Sequence, residues 1–269
     1  MSTLKSIVKT GAVVKPPRIL LYGVEGIGKS FFGASAINPI FVPTEEGTEE
    51  LNVARFPKAI KFDEVMDNLR LLYTEEHDYK TVVIDSIDWL ESLVWAHTCA
   101  VHAKSNIEDF GYGKGYKYAM DAWERFISGL DKLREDKGLA VVLIGHAEIK
   151  RFDSPELEPY DRYQIKLHNQ IASKLVEWCD AVLFANYQIF TTKTDVGFNK
   201  KVVRGIGGDS RLMYTEERPA FKAKNRYGLP PELPFVKGEA WNTLMEAIRA
   251  GRQQPVGVVE ETKTKKGGK

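Results

Sequence analysis

The sequence predicts an α/β fold built on a mostly parallel, twisted sheet with helices on both faces. Two observations support this prediction. Apolar runs of strand length alternate with longer segments whose apolar residues have helical spacing. Glycine-rich or acidic turns follow several of these apolar runs. Parallel strands need long crossover connections, so this alternation indicates a parallel sheet whose two faces are both covered.

The first half of the chain contains four predicted strands, at 18–22, 39–42, 81–85 and 139–144. Helices are predicted between them, at 29–36, 62–76, 87–104 and 116–137. The second half is richer in strand-like segments, which we expect to extend the same sheet. Its predicted elements are a helix at 169–178, a strand at 181–190, short strands up to Pro234 and a last helix at 239–250.

We therefore divide the chain into a lead-in over 1–16, one domain over 17–250 and a basic tail over 251–269. The tail is polar and rich in glycine and lysine, a composition typical of disorder.

Composition narrows the class of protein further. The chain has 269 residues, 43% of them hydrophobic and 28% charged, and its formal net charge is +1. These values exclude gross disorder and a collagen-like chain, and they argue against a protein that is basic all over, although a local basic groove remains compatible. Cys99 and Cys179 are the only cysteines, too few for a disulfide framework, which fits the reducing cytoplasm. The longest apolar runs have strand length, so we expect no membrane span and no secretory signal.

A glycine-rich turn after the first strand matches the phosphate-binding motif G-x-x-x-x-G-K-[ST] at every fixed position. Glycines let backbone N–H groups point at phosphate oxygens, and a following helix adds its positive end. Lys29 is expected to reach the β- and γ-phosphates of ATP, and Ser30 to hold Mg²⁺. The residues expected to bind ATP are Gly23, Val24, Glu25, Gly26, Ile27, Gly28, Lys29, Ser30 and Phe31.

Asp85 ends the third predicted strand and is the second expected magnesium ligand. In a sheet with a phosphate loop, such an acid holds the ion through its water shell. The alternative is a helix N-cap, because Asp85, Ser86 and Asp88 all precede an amphipathic segment. The two roles are compatible for Asp85, whereas Ser86 and Asp88 fit the capping role better.

Hydrolysis also requires a group that orients or deprotonates the attacking water. Many P-loop ATPases carry a glutamate directly after the magnesium acid, but Ser86 occupies that position here. The base is therefore expected after the second strand, with Glu45 preferred over Glu46, because the carboxyl ends of neighbouring strands meet at one edge of a sheet. The alternative is a solvated acidic turn.

Taken together, these features resemble RecA-type recombinase ATPases, and more closely the phage-encoded RecA-like proteins of the Sak-type single-strand annealing family. The resemblance covers roughly residues 16–235. It is carried by the phosphate loop, the T-E-x-G turn at Glu45, the V-V-I-D-S strand at Asp85, the strand that ends in Gly145-His146, and a late basic stretch.

The resemblance implies a RecA-like P-loop core and roles for several residues. Glu45 would activate water, and His146 would sense the γ-phosphate at a position where asparagine or glutamine is usual. Imidazole also donates hydrogen bonds, although its charge varies near neutral pH; the alternative is a histidine that caps a strand at the surface. Basic residues would act on a neighbouring subunit's phosphates, or else lie on a solvated face; they are Lys222, Lys224 and Arg226.

Two segments are candidates for contact with DNA. Residues 150–166 follow the His146 strand and mix basic with aromatic side chains, which suit phosphate contact and base stacking, although acids are also present. Residues 110–118 alternate glycine with tyrosine and carry two lysines; the alternative is a simple turn between helices. The residues expected to bind DNA are Lys114, Tyr116, Lys117, Lys150, Arg151 and Arg162.

The leading interpretation is a magnesium-dependent ATPase of phage DNA recombination. It would bind single-stranded DNA and promote annealing or strand exchange as an ATP-controlled ring or filament, with a phage or host single-strand-binding protein as a further partner. Two alternatives remain open: an ATP-responsive scaffold or loader for replication proteins, and a small-molecule P-loop kinase.

Overall fold

The structure is a computed structural model that describes residues 8, 13–154, 156, 158–195 and 201–253. Most of the predicted lead-in and nearly all of the predicted tail lie outside these described residues. No helix within these ranges is long and apolar enough to cross a membrane.

The described residues contain ten strands. They are β1 (Arg18–Gly23), β2 (Pro39–Pro43), β3 (Ala54–Arg55), β4 (Thr81–Asp85), β5 (Ala140–Phe152), β6 (Tyr160–Ile165), β7 (Ala181–Asp195), β8 (Lys201–Tyr214), β9 (Lys224–Asn225) and β10 (Glu232–Pro234). Six α-helices connect or cover the strands in the described chain, and a 3₁₀ helix spans Ile107–Phe110. The α-helices are α1 (Lys29–Ala34), α2 (Phe62–Thr74), α3 (Ile87–Val101), α4 (Lys114–Asp136), α5 (Asn169–Trp178) and α6 (Ala240–Gln253).

The strand order is β10-β8-β7-β1-β5-β4-β2-β3. The strands from β7 to β3 in this order run parallel, whereas β8 and β10 continue the sheet in antiparallel fashion. This confirms the predicted α/β class, its mostly parallel sheet and the extension of that sheet by the second half of the chain. The order also places β5, the strand that contains His146, between β1 and β4, so β5 separates the phosphate loop from the Asp85 strand.

Both faces of the central strands are buried, which explains why these strands read as continuous apolar runs. In β1, Leu20 and Tyr22 pack on one face among α2, α3, α4 and α5, whereas Ile19 and Leu21 pack on the other among α1 and α6. Helices therefore lie on both faces, as predicted.

The structure differs from the sequence prediction at several boundaries. β5 continues to Phe152 instead of ending at Ile144, because beyond the sheet its second half pairs with β6 in an antiparallel hairpin. β7 is also longer than predicted and forms a long hairpin with β8. The last helix extends past residue 250 into the predicted tail, since Gly251 packs closely against the backbone of Tyr227, where a Cβ would lie only 2.0 Å from its carbonyl oxygen.

Candidate functional site

The predicted ATP-site residues meet where the central parallel strands end. In the register of the sheet, Gly23 of β1 is paired with His146 of β5, and Asp85 of β4 is paired with Ile144 of β5 and Pro43 of β2. Glu45 follows β2 by two residues. The strand order thus brings together side chains that are far apart in the sequence, at the edge where parallel sheets bind ligands.

The phosphate loop, residues 23–30, connects β1 to α1 and depends on its glycines. Gly28 has φ 111°, a left-handed conformation that L side chains rarely adopt. Gly23 lies so close to β7 that an added Cβ would be 2.3 Å from the carbonyl oxygen of Ala185. The Lys29 ammonium folds back and donates to the carbonyl oxygens of Gly23 (3.3 Å) and Val24 (3.1 Å). Burial lowers the pKa of Lys29, and nearby carboxylates oppose this effect.

Two residues from the β7–β8 hairpin contact the phosphate loop. The sequence alone did not identify either of them. The Arg211 guanidinium donates to the carbonyl oxygen of Ile27 at 2.9 Å, and the Tyr187 hydroxyl donates to that of Gly26 at 3.5 Å. The Arg211 guanidinium also lies over the Tyr187 ring at 5.5 Å. Neither residue belongs to a local motif, so only the pairing of β7 with β8 could reveal their position.

Ser30 and Asp85 form a site that suits Mg²⁺. Asp85 is only 2% exposed, and burial raises its pKa to about 6, partly opposed by a hydrogen bond from the Ser30 side chain. The described residues contain no cluster of three or more His, Cys, Asp or Glu side chains that could hold a metal without help. One hydroxyl and one buried carboxylate fit an ion that takes its remaining oxygen ligands from phosphates and water, as Mg²⁺ does.

The two candidate bases occupy different environments. Glu45 is half-buried, and this burial raises its pKa, with His146 and Lys29 opposing the shift. Its neighbour Glu46 is exposed and forms an ion pair with Lys58. Thr44 fixes the start of this turn, because its hydroxyl donates to the Ser86 carbonyl at 2.6 Å and accepts from the Ser86 N–H at 2.9 Å. Glu45 thus lies among the other site residues whereas Glu46 faces solvent, and the role of either as the base stays a prediction.

His146 is held by Asp88. The imidazole Nδ1 donates to Asp88 Oδ2 at 3.0 Å, and the His146 backbone N–H donates to Oδ1 at 3.1 Å. The hydrogen bond that His146 donates to Asp88 raises the pKa of His146. Burial alone would raise the pKa of Asp88, but the bonds from His146 lower it. Asp88, for which the sequence suggested a helix cap, is thus an ion-pair partner of the expected phosphate sensor.

An opening of about 540 Å³ lies beside the phosphate loop. Arg211, Phe235 and Lys237 line it, and the Lys237 ammonium lies 3.6 Å from the centroid of the Phe31 ring. Phe31, predicted to bind the nucleotide, is partly exposed and contacts Lys237, a lining residue of this space, which is large enough for a small ligand.

The three cations predicted to act on a neighbour's phosphates separate in the structure. The Lys224 ammonium donates to three carbonyl oxygens at the end of α5, those of Val176 (2.6 Å), Glu177 (2.8 Å) and Cys179 (2.9 Å). Arg226 donates to the Glu177 carbonyl at 3.0 Å. Lys222 instead points to a cavity beside the β5–β6 hairpin. Their action across a subunit boundary stays a prediction.

Lys224→Met is expected to lower the free energy of unfolding by about 1–3 kcal/mol, because three carbonyl oxygens at the end of α5 lose a charged donor. Urea unfolding without nucleotide measures this effect. Lys222→Met is the matched control and should stay within about 0.5 kcal/mol of wild type. If Lys224→Met leaves stability unchanged but reduces ATP turnover, the ammonium acts in catalysis instead.

The residues predicted to contact DNA lie in two places. Lys114, Tyr116 and Lys117 form the first turn of α4, where the Tyr116 ring stacks on His168 with centroids 4.0 Å apart. Lys150, Arg151 and Arg162 lie on the β5–β6 hairpin. The hairpin projects beyond the edge of the sheet that carries the ATP-site residues. DNA contact at both places stays a prediction.

The chain is similar to a protein family and to a solved structure. A family model described as AAA domain matches residues 15–227. None of the curated proteins searched matches the chain. Among solved structures, the crystal structure of the RadB recombinase is similar, with a TM-score of 0.45 and 16% sequence identity over 83% of this chain and 90% of that chain.

Proposed function

Because this chain belongs to the AAA domain family and is a nucleotide-binding P-loop ATPase, we propose that it hydrolyses ATP with Mg²⁺ while bound to single-stranded DNA. On this proposal it acts in phage recombination, where it promotes annealing or strand exchange as an ATP-controlled ring or filament. The observation that carries the proposal is the cluster of Lys29, Asp85, Glu45 and the His146–Asp88 pair at one edge of the sheet.

Each residue of this cluster has a role in hydrolysis. When bound by Ser30 and Asp85, Mg²⁺ offsets negative charge on the phosphates. Lys29 leaves the phosphate-loop carbonyls and contacts the β- and γ-phosphates. Glu45 accepts a proton from the attacking water, a task that its raised pKa suits. His146, held by Asp88, donates from its other ring nitrogen to the γ-phosphate.

The opening beside Phe31 is the place that we propose for the adenine and ribose. It adjoins the phosphate loop, and Arg211 contacts both the loop and the opening. The Phe31 ring offers an aromatic surface, and Arg211 and Lys237 supply donors for ring nitrogens and ribose hydroxyls.

His146 and the hairpin support the proposed coupling to DNA. His146 ends the part of β5 that lies in the parallel sheet, and the very next residue, Ala147, begins the hairpin with β6. A shift of His146 toward a γ-phosphate would therefore move the root of the hairpin that carries Lys150, Arg151 and Arg162.

ATP turnover with and without long oligothymidylate tests the proposal, together with light scattering to follow assembly in ATP and in ADP. We expect single-stranded DNA to stimulate turnover more than duplex of the same length, and ATP to favour the larger species. Intact basal turnover that single-stranded DNA does not change would refute the coupling. Phosphate transfer to an added nucleoside would favour the kinase alternative, and ATP binding without turnover would favour the scaffold.

His146 should make turnover depend on pH. Its pKa is raised, so the imidazolium and the stability that its pair with Asp88 contributes are present below the ordinary value near 6.5, and both are lost as pH rises through the higher folded value. At saturating ATP and Mg²⁺, turnover should fall on the alkaline side, and His146→Gln should remove that fall while it retains a neutral donor.

The other titratable groups near His146 are Asp88, Glu45, Lys29 and Asp85. Asp85 has a pKa of about 6, so its titration should affect turnover on the acidic side of the pH profile. His77→Gln is the matched control. His77 lies just before β4, at the amino-terminal ends of the parallel strands and away from the ATP-site residues, so this variant should keep the wild-type dependence of turnover on pH. An unchanged alkaline fall in His146→Gln would assign that fall to another group.

A further inference from the structure

A polar cavity of about 320 Å³ lies between the β5–β6 hairpin and α5. Four cationic side chains line it: Lys150, Arg151, Arg162 and Lys222. One carboxylate, Asp153, shares the wall. A concave surface with four positive charges and one negative charge favours an anion, because each cation there increases the positive potential that the others produce.

Arg162 is the innermost of these cations, with 6% of its surface exposed. Its Nη2 donates to Glu217 at 2.9 Å, and its guanidinium lies 4.8 Å from the centroid of the Phe152 ring. Its Nε is buried and has no hydrogen-bond acceptor among the described residues. A buried guanidinium donor without an acceptor is costly, so an oxygen that reached this nitrogen would be stabilised there.

The remaining cations differ in how far they are already neutralised. Lys150 pairs with Glu148 at 2.7 Å, outside the cavity wall. Within the part of the chain that the structure describes, neither Lys222 nor Arg151 forms an ion pair. Asn169 and Ser173 of α5 face the same space and add polar groups. The cavity therefore offers two uncommitted cations, one unsatisfied guanidinium nitrogen and neutral donors to a single anion.

Lys150 also lines a wider groove, of about 510 Å³, on the α3 side of the hairpin. Trp89 and Trp95 lie in that groove, and Trp89 is 53% exposed. An exposed indole next to a cationic cavity suits a base that adjoins a phosphate, since bases stack on aromatic rings. Asp88, which binds His146, lines the same groove.

We propose that this cavity binds a phosphate group, and that the group is a backbone phosphate of single-stranded DNA whose adjoining base stacks on Trp89. Arginine and lysine donors match phosphate oxygens, and Arg162 would use its free Nε for this contact. The source of the phosphate rests on the proposed function, whereas the anion site itself rests on the cavity. Trp89 lies outside both segments that the sequence suggested for DNA.

The affinity for labelled oligothymidylate, measured by anisotropy across a range of salt concentrations, tests the cavity. Each lost phosphate contact should make the slope of log affinity against log salt shallower by about 0.7. We expect this change in Lys222→Gln and in Arg151→Gln. We expect weaker binding in Arg162→Lys, which keeps the charge but loses the planar guanidinium and its several N–H donors. Trp89→Ala should weaken binding without changing the slope. Lys132→Gln, an exposed position on α4, is the matched control.

A second measurement separates the two sources of phosphate. In a Lys29→Ala background, which disables the phosphate loop, the thermal midpoint is recorded with inorganic phosphate or with oligothymidylate. Stabilisation by oligothymidylate alone, abolished by Lys222→Gln, supports a DNA backbone phosphate. Stabilisation by inorganic phosphate that Lys222→Gln abolishes supports the anion site but assigns it to a free phosphate.

The outcomes distinguish this inference from the proposed function. If DNA stimulates turnover but the slopes of Lys222→Gln and Arg151→Gln equal that of the Lys132→Gln control, the cavity is not a phosphate site and the proposed function stands. If the wild type binds no DNA and inorganic phosphate still stabilises it through Lys222, the proposed function fails and the anion site stands.

Discussion

Glu45→Gln is expected to slow ATP hydrolysis about 100-fold or more while ATP binding is retained. Glutamine keeps the size of the side chain and its oxygen, but it cannot accept the proton of the attacking water. Glu45 is half-buried beside Lys29, His146 and Asp88, and burial raises its pKa toward the range in which a carboxylate serves as a general base. Single-turnover hydrolysis and the binding of a fluorescent ATP analogue separate the chemical step from affinity.

Glu46→Gln is the matched control for this experiment. Glu46 is exposed and paired with Lys58, so its substitution should change turnover by less than twofold, a ~0.4 kcal/mol effect on the barrier. Equal losses in the two variants would mean that the acidic turn acts as a unit rather than through Glu45. Unchanged turnover in Glu45→Gln would show that the base is another group.

Asp85→Asn is expected to abolish magnesium-dependent turnover and, at the same time, to stabilise the nucleotide-free protein. Removing the carboxylate weakens the hold on Mg²⁺, so we expect turnover to fall by at least ~100-fold. The gain in stability arises because the ionised carboxylate is buried. A rise in pKa from 3.8 to about 6 corresponds to a penalty of roughly 3 kcal/mol once the group is ionised, of which asparagine is free.

The pH dependence of this stability follows from the direction of the shift. Below pH 3.8 the carboxyl group is protonated in both the folded and the unfolded chain, so it contributes nothing. The penalty grows as pH rises above that value and is complete above about 6. Urea unfolding should therefore show a difference between variant and wild type that widens from about pH 4 to pH 7.

Asp78→Asn, at an exposed position near the opposite edge of the sheet, provides the comparison and should stay within about 0.5 kcal/mol of wild type at every pH. An Asp85→Asn protein less stable than wild type at pH 7 would mean that the carboxylate contributes more through its partners than it loses by burial. The expected result, an Asp85→Asn protein that is more stable than wild type but inactive, is typical of a residue that is retained for function at a cost in stability.

The phosphate loop and the Asp85 strand could be predicted from the sequence because each is a local feature. The backbone of Gly23–Ser30 depends mainly on which of its own residues tolerate left-handed or close-packed conformations. The strands of the core could be predicted for a similar reason, since burial on two faces requires an uninterrupted apolar run. Glu45 was suggested on the assumption that its strand lies beside the phosphate loop, and this assumption is wrong, because β5 and β4 lie between β1 and β2.

The tertiary structure alone decided which distant side chains meet. Asp88 and His146 are 58 positions apart and form a pair because β5 lies between β1 and β4. Lys222 and Lys224 are two positions apart, yet one lines the hairpin cavity and the other binds the end of α5. Residues two apart in a continuous strand share a face, but Lys222 lies before β9 and Lys224 begins it, so the path of the chain into β9 separates them. The burial of the Arg162 Nε without an acceptor among the described residues likewise depends on the tertiary packing of the hairpin.

The sequence by itself therefore determined a phosphate loop, an acid at the end of an apolar strand and an α/β sheet to hold them. The tertiary structure decided which distant groups meet them, namely the Asp88 carboxylate on His146, Arg211 on the loop and the cationic side chains of the cavity beside the hairpin. The physical reason is that backbone conformation and burial are encoded in contiguous residues, whereas hydrogen bonds and ion pairs between strands depend on strand order and register, which no short stretch of sequence contains.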